Sequence, residues 1–394
     1  MKKQTQAIHL EYERRDAYDS LSVPVYNTLA YEFDNAAVMA EAFTDKIKAP
    51  DYSRVENPTV TNLERRVAAL TDAAHATAFN SGMAAISNTL MALAAQGKNI
   101  VTSKHLFGNT YALLVATLRR FGVKVRLRDL TNIETVREAI DDDTCCVFLE
   151  ILTNPQLEVA DLKAISEVAH EKNVPLVVDS TVIPFTQFSA KSLGVDIEVV
   201  SSSKYVSGGA TSLGGLVIDY GTPYNGDFAK RLYGEMLFNF GAYMTPQVAY
   251  MQTIGLETLD ARYRVQSSNA LDLAKKLRSL PQIKLVNYVG LEDNPYHELA
   301  QRQFGKTAGA MICIDLESKE ACFSFLNNLK LIHRATNLFD NRSLAIHPAS
   351  TIFGAFSENM RKSMDVKDTT IRLGIGLEDV DDLFEDIKQA IDSL

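Results

Sequence analysis

The chain has 394 residues, 46 % hydrophobic and 23 % charged, which are globular proportions and a length that calls for two domains or one large α/β domain with an appendage. Its formal net charge of -9 comes without any run of Lys or Arg, which argues against a nucleic-acid partner because phosphate binding needs a basic stripe. The 4 cysteines have neither CxxC spacing nor a disulfide pattern, and read as reduced core thiols of a cytoplasmic protein.

Residues 1–50 read as an N-terminal arm with short apolar patches and no strong period. The opening MKKQTQAIHLEYERRD is followed by no apolar stretch, so a signal peptide is not expected. No window approaches the ~18 uncharged apolar residues of a membrane span. From Asn62 the period turns helical, in NLERRVAAL and again in SGMAAISNTLMALAAQ. Short apolar, β-branched runs then alternate with helical ones. The strand-like runs are KNIVTS, KVRLRD, CCVFLEI, PLVVDS, IEVVSSS and GGLVID. That alternation predicts a mainly parallel mixed sheet with flanking helices over residues 51–245. Residues 246–394 predict a smaller α+β domain. It opens with a helical segment from Pro246 to Leu280, broken near GLETL, and has strand-like runs IKLVNYV, GAMICIDL, SLAIH and TIRLGIG. In the last helix, Val380, Leu383, Ile387 and Ile391 share a face, and acids at its start suit the helix dipole.

Four runs carry chemistry. In IEVVSSSKYVSGG an apolar strand ends in serines, Lys204 and glycines, at the kind of strand end where open α/β sheets place ligands. A desolvated lysine there can form an imine with an aldehyde cofactor, and the hydroxyls can bind phosphate. Alone, this run is equally consistent with a surface lysine. In PLVVDS the strand ends in Asp179, a carboxylate able to keep a pyridine nitrogen protonated or simply to cap the next helix. In FNSGMAAIS a Ser-Gly pair opens a helix whose free N–H groups can receive phosphate; taken singly, a plain N-cap is the simpler reading. In TTIRLGIG, Arg372 lies in a strand-like run and needs a partner, either a substrate carboxylate or a structural acid. No GxGxxG follows a strand, no GxxxxGK[ST] occurs, and the histidines lack metal-ligand spacing, so no metal is expected and His347 reads as structural.

Taken together and in order, YSRVENPT, NSGMAAI, HLFGNTY, TNP, VVDST, SSSKY, GLETL, SLAIHPAS and IRLGIG resemble the Cys/Met-metabolism family of pyridoxal-phosphate (PLP) enzymes over nearly the whole chain. The resemblance implies the PLP-dependent transferase fold of type I, with a smaller C-terminal domain, an N-terminal arm, and dimers that pair into tetramers. By matching position it makes Lys204 the Schiff-base lysine and Asp179 the pyridinium partner. It assigns the phosphate to Ser201, Ser203 and the backbone of Gly82 and Met83, with Tyr52 and Arg54 reaching it from the neighbouring subunit. Phe107 stacks on the ring, Asn154 lies near the cofactor hydroxyl and substrate, and Arg372 binds the substrate carboxylate with Ser343 beside it.

Within the family the C-terminal half is most similar to the homoserine-ester sulfhydrylases. The expected reaction is therefore replacement of the acyl group of an O-acyl-homoserine by sulfide or a small thiol. The alternatives are a methionine or cystathionine γ-lyase, a cystathionine γ-synthase, and a catalytically silent PLP-fold binding subunit. Five positions depart from family habit: Phe107 replaces the usual tyrosine and so cannot donate a proton, Asn109 replaces the cysteine of methionine γ-lyases, and Val200, Gly209 and Phe353 stand where histidines are common.

Overall fold

In the computed structural model, which describes residues 1–10, 16–44 and 46–394, the apolar strand runs form one seven-stranded sheet. Its strands are β1 (His75–Phe79), β2 (Asn99–Ser103), β3 (Lys124–Arg128), β4 (Thr144–Glu150), β5 (Leu176–Asp179), β6 (Ile197–Val200) and β7 (Gly215–Asp219). They lie in the order β1-β7-β6-β5-β4-β2-β3. From β6 through β3 every pairing is parallel, while β7 runs antiparallel to both β6 and β1. Strands β2, β5, β6 and β7 are buried at every residue, as strands covered by helices on both faces must be. The edge strand β3 alternates charged and apolar residues and is only partly covered, which protects it from pairing with another chain. Cys146 is buried within β4 and Cys145 half-buried, both as free thiols.

Because β4, β5 and β6 are parallel neighbours, Glu150, Asp179 and the residues after Val200 emerge side by side at one end of the sheet. Helix Gly82–Leu93 packs against β6 and β7 and presents its N-terminus near the same place. This is the end of an open α/β sheet at which ligands bind.

The second sheet is antiparallel, in the order β10-β11-β9-β8, with β8 (Leu285–Asn287), β9 (Met311–Asp315), β10 (Leu344–Ile346) and β11 (Thr370–Gly374). It places Arg372 in the central strand β11, between Cys313 of β9 and Ile346 of β10. The long helical segment divides at Thr258 into Pro246–Glu257 and Leu259–Leu277. The final helix, Val380–Asp392, buries Leu383, Ile387 and Ile391, each worth about 2 kcal/mol in apolar burial, while Val380 is partly covered. The arm contains two short helices its sequence did not signal, Lys3–His9 and Ala36–Ala42. The first packs on its own chain: Lys3 Nζ donates to the carbonyls of Phe185 (3.2 Å) and Phe188 (2.8 Å), and Arg66 donates to the carbonyl of Ala7 at 2.7 Å. Among the described residues no helix is long and apolar enough to cross a membrane.

Candidate active site

A cavity of about 220 Å³ opens at the carboxyl ends of β4 to β6, closed from the other side by β11 and the loop around Asn337. Strand β6 ends at Val200, and the three serines carry the chain into a tight turn in which Lys204 projects into the cavity. Lys204 Nζ donates to Asn337 Oδ1 at 2.6 Å. Burial, and secondarily the charge of Arg372, lower its pKa to about 8, so about a tenth of it is neutral at pH 7 and about half at pH 8.

Asp179 forms the adjacent wall. Its Oδ1 accepts the backbone N–H of Thr181 at 2.9 Å, which holds the carboxyl group in place, and burial raises its pKa. Directly opposite in the β4–β5 pairing is Glu150, which also lines the cavity. Its Oε1 accepts the backbone N–H of Phe107 at 2.5 Å, and burial followed by the nearby Asp179 raises its pKa to about 8.

Arg372 is buried without any carboxylate partner among the described residues. It donates to Asn154 Oδ1 at 3.2 Å and to the Asn337 carbonyl at 3.1 Å, and its buried Nε has no partner at all. The structural ion pair left open by the sequence is thus not what holds it. Burying a guanidinium with donors unspent is costly unless an anion arrives to use them.

The third wall is the start of helix Gly82–Leu93. Ser81 is its N-cap and accepts the N–H of Ala84 at 3.1 Å, leaving the amides of Gly82 and Met83 at the mouth. A Cβ at position 82 would lie 2.6 Å from Ser201 Cβ, so only glycine lets the helix end approach the β6 turn this closely. Phe107, Ser201 and Asn154 also line the cavity.

Four of the residues singled out from the sequence do not line it. The hydroxyl of Ser203 is taken by Gly214, donating to its carbonyl at 3.1 Å and accepting its N–H at 2.9 Å, because the turn after β6 folds it onto the residue that leads into β7. Ser343 is fully buried and donates to Glu378 Oε2 at 2.8 Å while accepting the Gly376 N–H at 2.9 Å, so its hydroxyl secures the start of β10 instead of flanking Arg372 at the cavity. Tyr52 and Arg54 lie outside this chain's cavity. Tyr52 is 40 % exposed, and Arg54 stacks on its ring and donates to the Phe238 carbonyl at 2.6 Å.

The departures sit close by. Asn109 is exposed in the short helix after Phe107, Val200 is buried at the end of β6, and Phe353 is fully buried among apolar side chains. Gly209 has φ +123°, and a Cβ there would meet the Asn341 carboxamide at 2.2 Å, so the local turn has no place for a histidine. His347 is bound by Ser350 Oγ and the Asp368 carbonyl, both at 2.8 Å.

The cavity also contains residues the sequence reading passed over, chiefly Glu150 and Asn337. For Glu150 a signal existed: an acid ending the apolar strand TCCVFLE, the same pattern that singled out Asp179 one strand later. Asn337 lies in an irregular segment with no comparable cue.

The chain is similar to known proteins over nearly its whole length. Residues 4–392 match the family described as Cys/Met metabolism PLP-dependent enzyme. An L-methionine gamma-lyase of Fusobacterium nucleatum is 37 % identical over 99 % of this chain and 98 % of its own. An O-acetyl-L-homoserine sulfhydrylase of Corynebacterium glutamicum is 31 % identical over 98 % of this chain and 95 % of its own. Among solved structures, a Campylobacter jejuni protein named for O-acetylhomoserine (thiol)-lyase activity superposes with a TM-score of 0.95, at 35 % identity and full coverage of both chains. That structure carries N'-pyridoxyl-lysine-5'-monophosphate.

Proposed function

The chain belongs to the Cys/Met-metabolism family of PLP-dependent enzymes, and on that premise we propose that it replaces the acyl group of an O-acyl-homoserine by sulfide or a small thiol, giving homocysteine or its thioether. The cofactor is pyridoxal 5'-phosphate and the chemistry belongs to trans-sulfuration. The walls described above fit that cofactor: a half-buried lysine of lowered pKa, a buried carboxylate one strand away, a helix N-terminus cleared by Gly82, and an aromatic face at Phe107. In this reading Lys204 holds it, Asp179 faces its ring nitrogen, and Gly82, Met83 and Ser201 take its phosphate.

When bound, the cofactor withdraws electrons from the carbon bearing the substrate amine and so lowers the cost of removing the proton there. Lys204 Nζ, neutral in part near pH 8, takes that proton and returns it later. Arg372 offers its unspent Nε and terminal donors to the α-carboxylate, and Asn154, already bound to the guanidinium, orients the same end of the substrate.

The observation carrying the choice of reaction is Phe107. Its ring lines the cavity where the family habit is a phenol, so this wall offers no proton to a departing group. A carboxylate leaves without one; a thiolate leaves less readily. The second reading, γ-elimination from methionine, is favoured by the similarity to the Fusobacterium enzyme. Product analysis separates the two. Homocysteine from O-acetyl- or O-succinyl-homoserine plus sulfide supports the first reading. 2-Oxobutyrate and ammonia from methionine at the higher kcat/KM would overturn it.

The same reading has the chain assemble as dimers that pair into tetramers, with Tyr52 and Arg54 completing a neighbour's site. Their position outside their own cavity, and the exposure of Leu21, Leu29 and Phe43 on the arm, support it. It also divides the chain into the arm (1–50), large domain (51–245) and small domain (246–394), and locates the protein in the cytoplasm.

A further inference from the structure

Glu150 is a buried acid, 7 % exposed, for which the reaction above has no use. It ends β4, between the loop that follows β2 and the end of β5. Its carboxyl group receives the Phe107 N–H at 2.5 Å, and the Asn154 N–H interacts with the same group. Those are the backbones of two other cavity walls: Phe107 precedes the short helix Gly108–Ala112, and Asn154 supports Arg372. On its other side Glu150 stands opposite Asp179 in a parallel pairing that brings two carboxyl groups to one wall. Among the described residues no cation is paired with either. Two buried carboxyl groups so placed do not both ionise.

We propose that Glu150 is a positioning residue of the cofactor site, a neutral carboxyl group that ties the Phe107 and Asn154 backbones together and leaves Asp179 as the single anion on its wall of the cavity. The inference rests on the cofactor-binding reading of the cavity and is independent of which γ-substituent is exchanged. Burial and the neighbouring Asp179 act in the same direction, holding the Glu150 proton up to about pH 8. The other titratable groups around it are Lys204 and Arg372 across the cavity and Glu158, which lines a small void together with Glu150 behind the cavity and is bound to His105. Ionising Glu150 puts a second negative charge beside Asp179, pulls the carboxylate pair apart and loosens both tethered backbones.

The test uses the full chain with bound PLP and two variants, Glu150→Gln and Glu150→Ala. The amide keeps an acceptor for both N–H groups and cannot ionise. Cofactor retention on dilution, read by visible absorbance, falls about tenfold or more in Glu150→Ala and returns most of the way in Glu150→Gln. Amide hydrogen exchange at Phe107 and Asn154 accelerates in the alanine variant alone. In infrared difference spectra between wild type and Glu150→Gln, the carbonyl band of a protonated carboxyl persists at neutral pH and disappears around pH 8. Lys204 and the cofactor it holds are common to both proteins, so the difference reports Glu150. A carbonyl band that titrates in the ordinary carboxyl range, or a glutamine variant as defective as alanine, would overturn the proposal. If the alanine variant does not fold, the infrared titration and the glutamine variant decide alone. None of these readouts uses turnover, so failure to act on acyl-homoserines would count against the proposed reaction and leave this inference standing.

Discussion

Lys204 and Arg372 meet on Asn337: Lys204 Nζ donates to its side-chain oxygen at 2.6 Å and Arg372 donates to its carbonyl at 3.1 Å. Two cations thus share one neutral residue, with no acid paired to either among the described residues. Burial, with the charge of Arg372 added to it, lowers the lysine's pKa, and the lysine, the stronger acid of the two to begin with, is the one that gives up its proton.

The first consequence is a reactive amine. In protein stripped of cofactor, modification of Lys204 by an amine-selective reagent should follow a midpoint of about 8, where an ordinary lysine would show 10.5. Arg372→Leu should move that midpoint upward, because it removes the neighbouring charge while leaving most of the burial. The unfolded chain binds this proton more tightly than the folded one between pH 8 and 10.5, so Lys204 makes folding stability rise with pH across that window. Lys204→Met should flatten that part of a urea-denaturation pH series.

Arg372 has unspent donors in a buried place, so its value lies in binding. Arg372→Lys keeps the charge but loses the planar fork. KM for the amino-acid substrate should rise about 10- to 100-fold with a smaller change in kcat, since the contact is made equally before and during reaction. Steady-state kinetics checks this; a fall in kcat at unchanged KM would contradict it.

Phe107→Tyr restores a phenol to the cavity wall. Elimination from methionine should increase relative to acyl-homoserine turnover by about 100-fold, the low end of what a supplied general acid contributes. The ratio of the two kcat/KM values is the measurement.

His105 fastens three segments. It is 6 % exposed, bonded to Glu158 (2.5 Å) and Asp365 (2.8 Å), with Lys104 also on Asp365. Burial alone would lower its pKa, but the Glu158 and Asp365 bonds outweigh that and raise it. The stabilisation is therefore complete below the unfolded value of 6.5 and is lost as pH rises through the higher folded value. His105→Asn should cost about 1–3 kcal/mol at pH 6 and less at pH 9, by urea denaturation at the two pH values.

The inner parallel strands were legible because their runs are mostly apolar, as burial on both faces requires. Lys204, Asp179, Phe107, Asn154, Gly82, Met83, Ser201 and Arg372 were legible as one group because each sits at a strand end, a helix start or a short motif whose order the family shares. Ser203 and Ser343 lie off the cavity wall because a hydroxyl's direction depends on which backbone folds across it, Gly214 in one case and Gly376 in the other. Position along the chain carries no such information. Glu150 was overlooked for a different reason: its strand drew notice for two cysteines, while its acid gains meaning only from the β4–β5 register. The arm helix Lys3–His9 is too short for periodicity to reveal, and is stabilised by contacts more than fifty residues away.

The central claim is that Lys204 holds the cofactor opposite Asp179. Borohydride reduction of the PLP-loaded protein, followed by proteolysis and mass spectrometry, tests it directly. The account predicts a single pyridoxyl-phosphate adduct on the peptide containing Lys204, lost in Lys204→Ala. A stoichiometric adduct on any other lysine, or an adduct that survives that substitution, would contradict it.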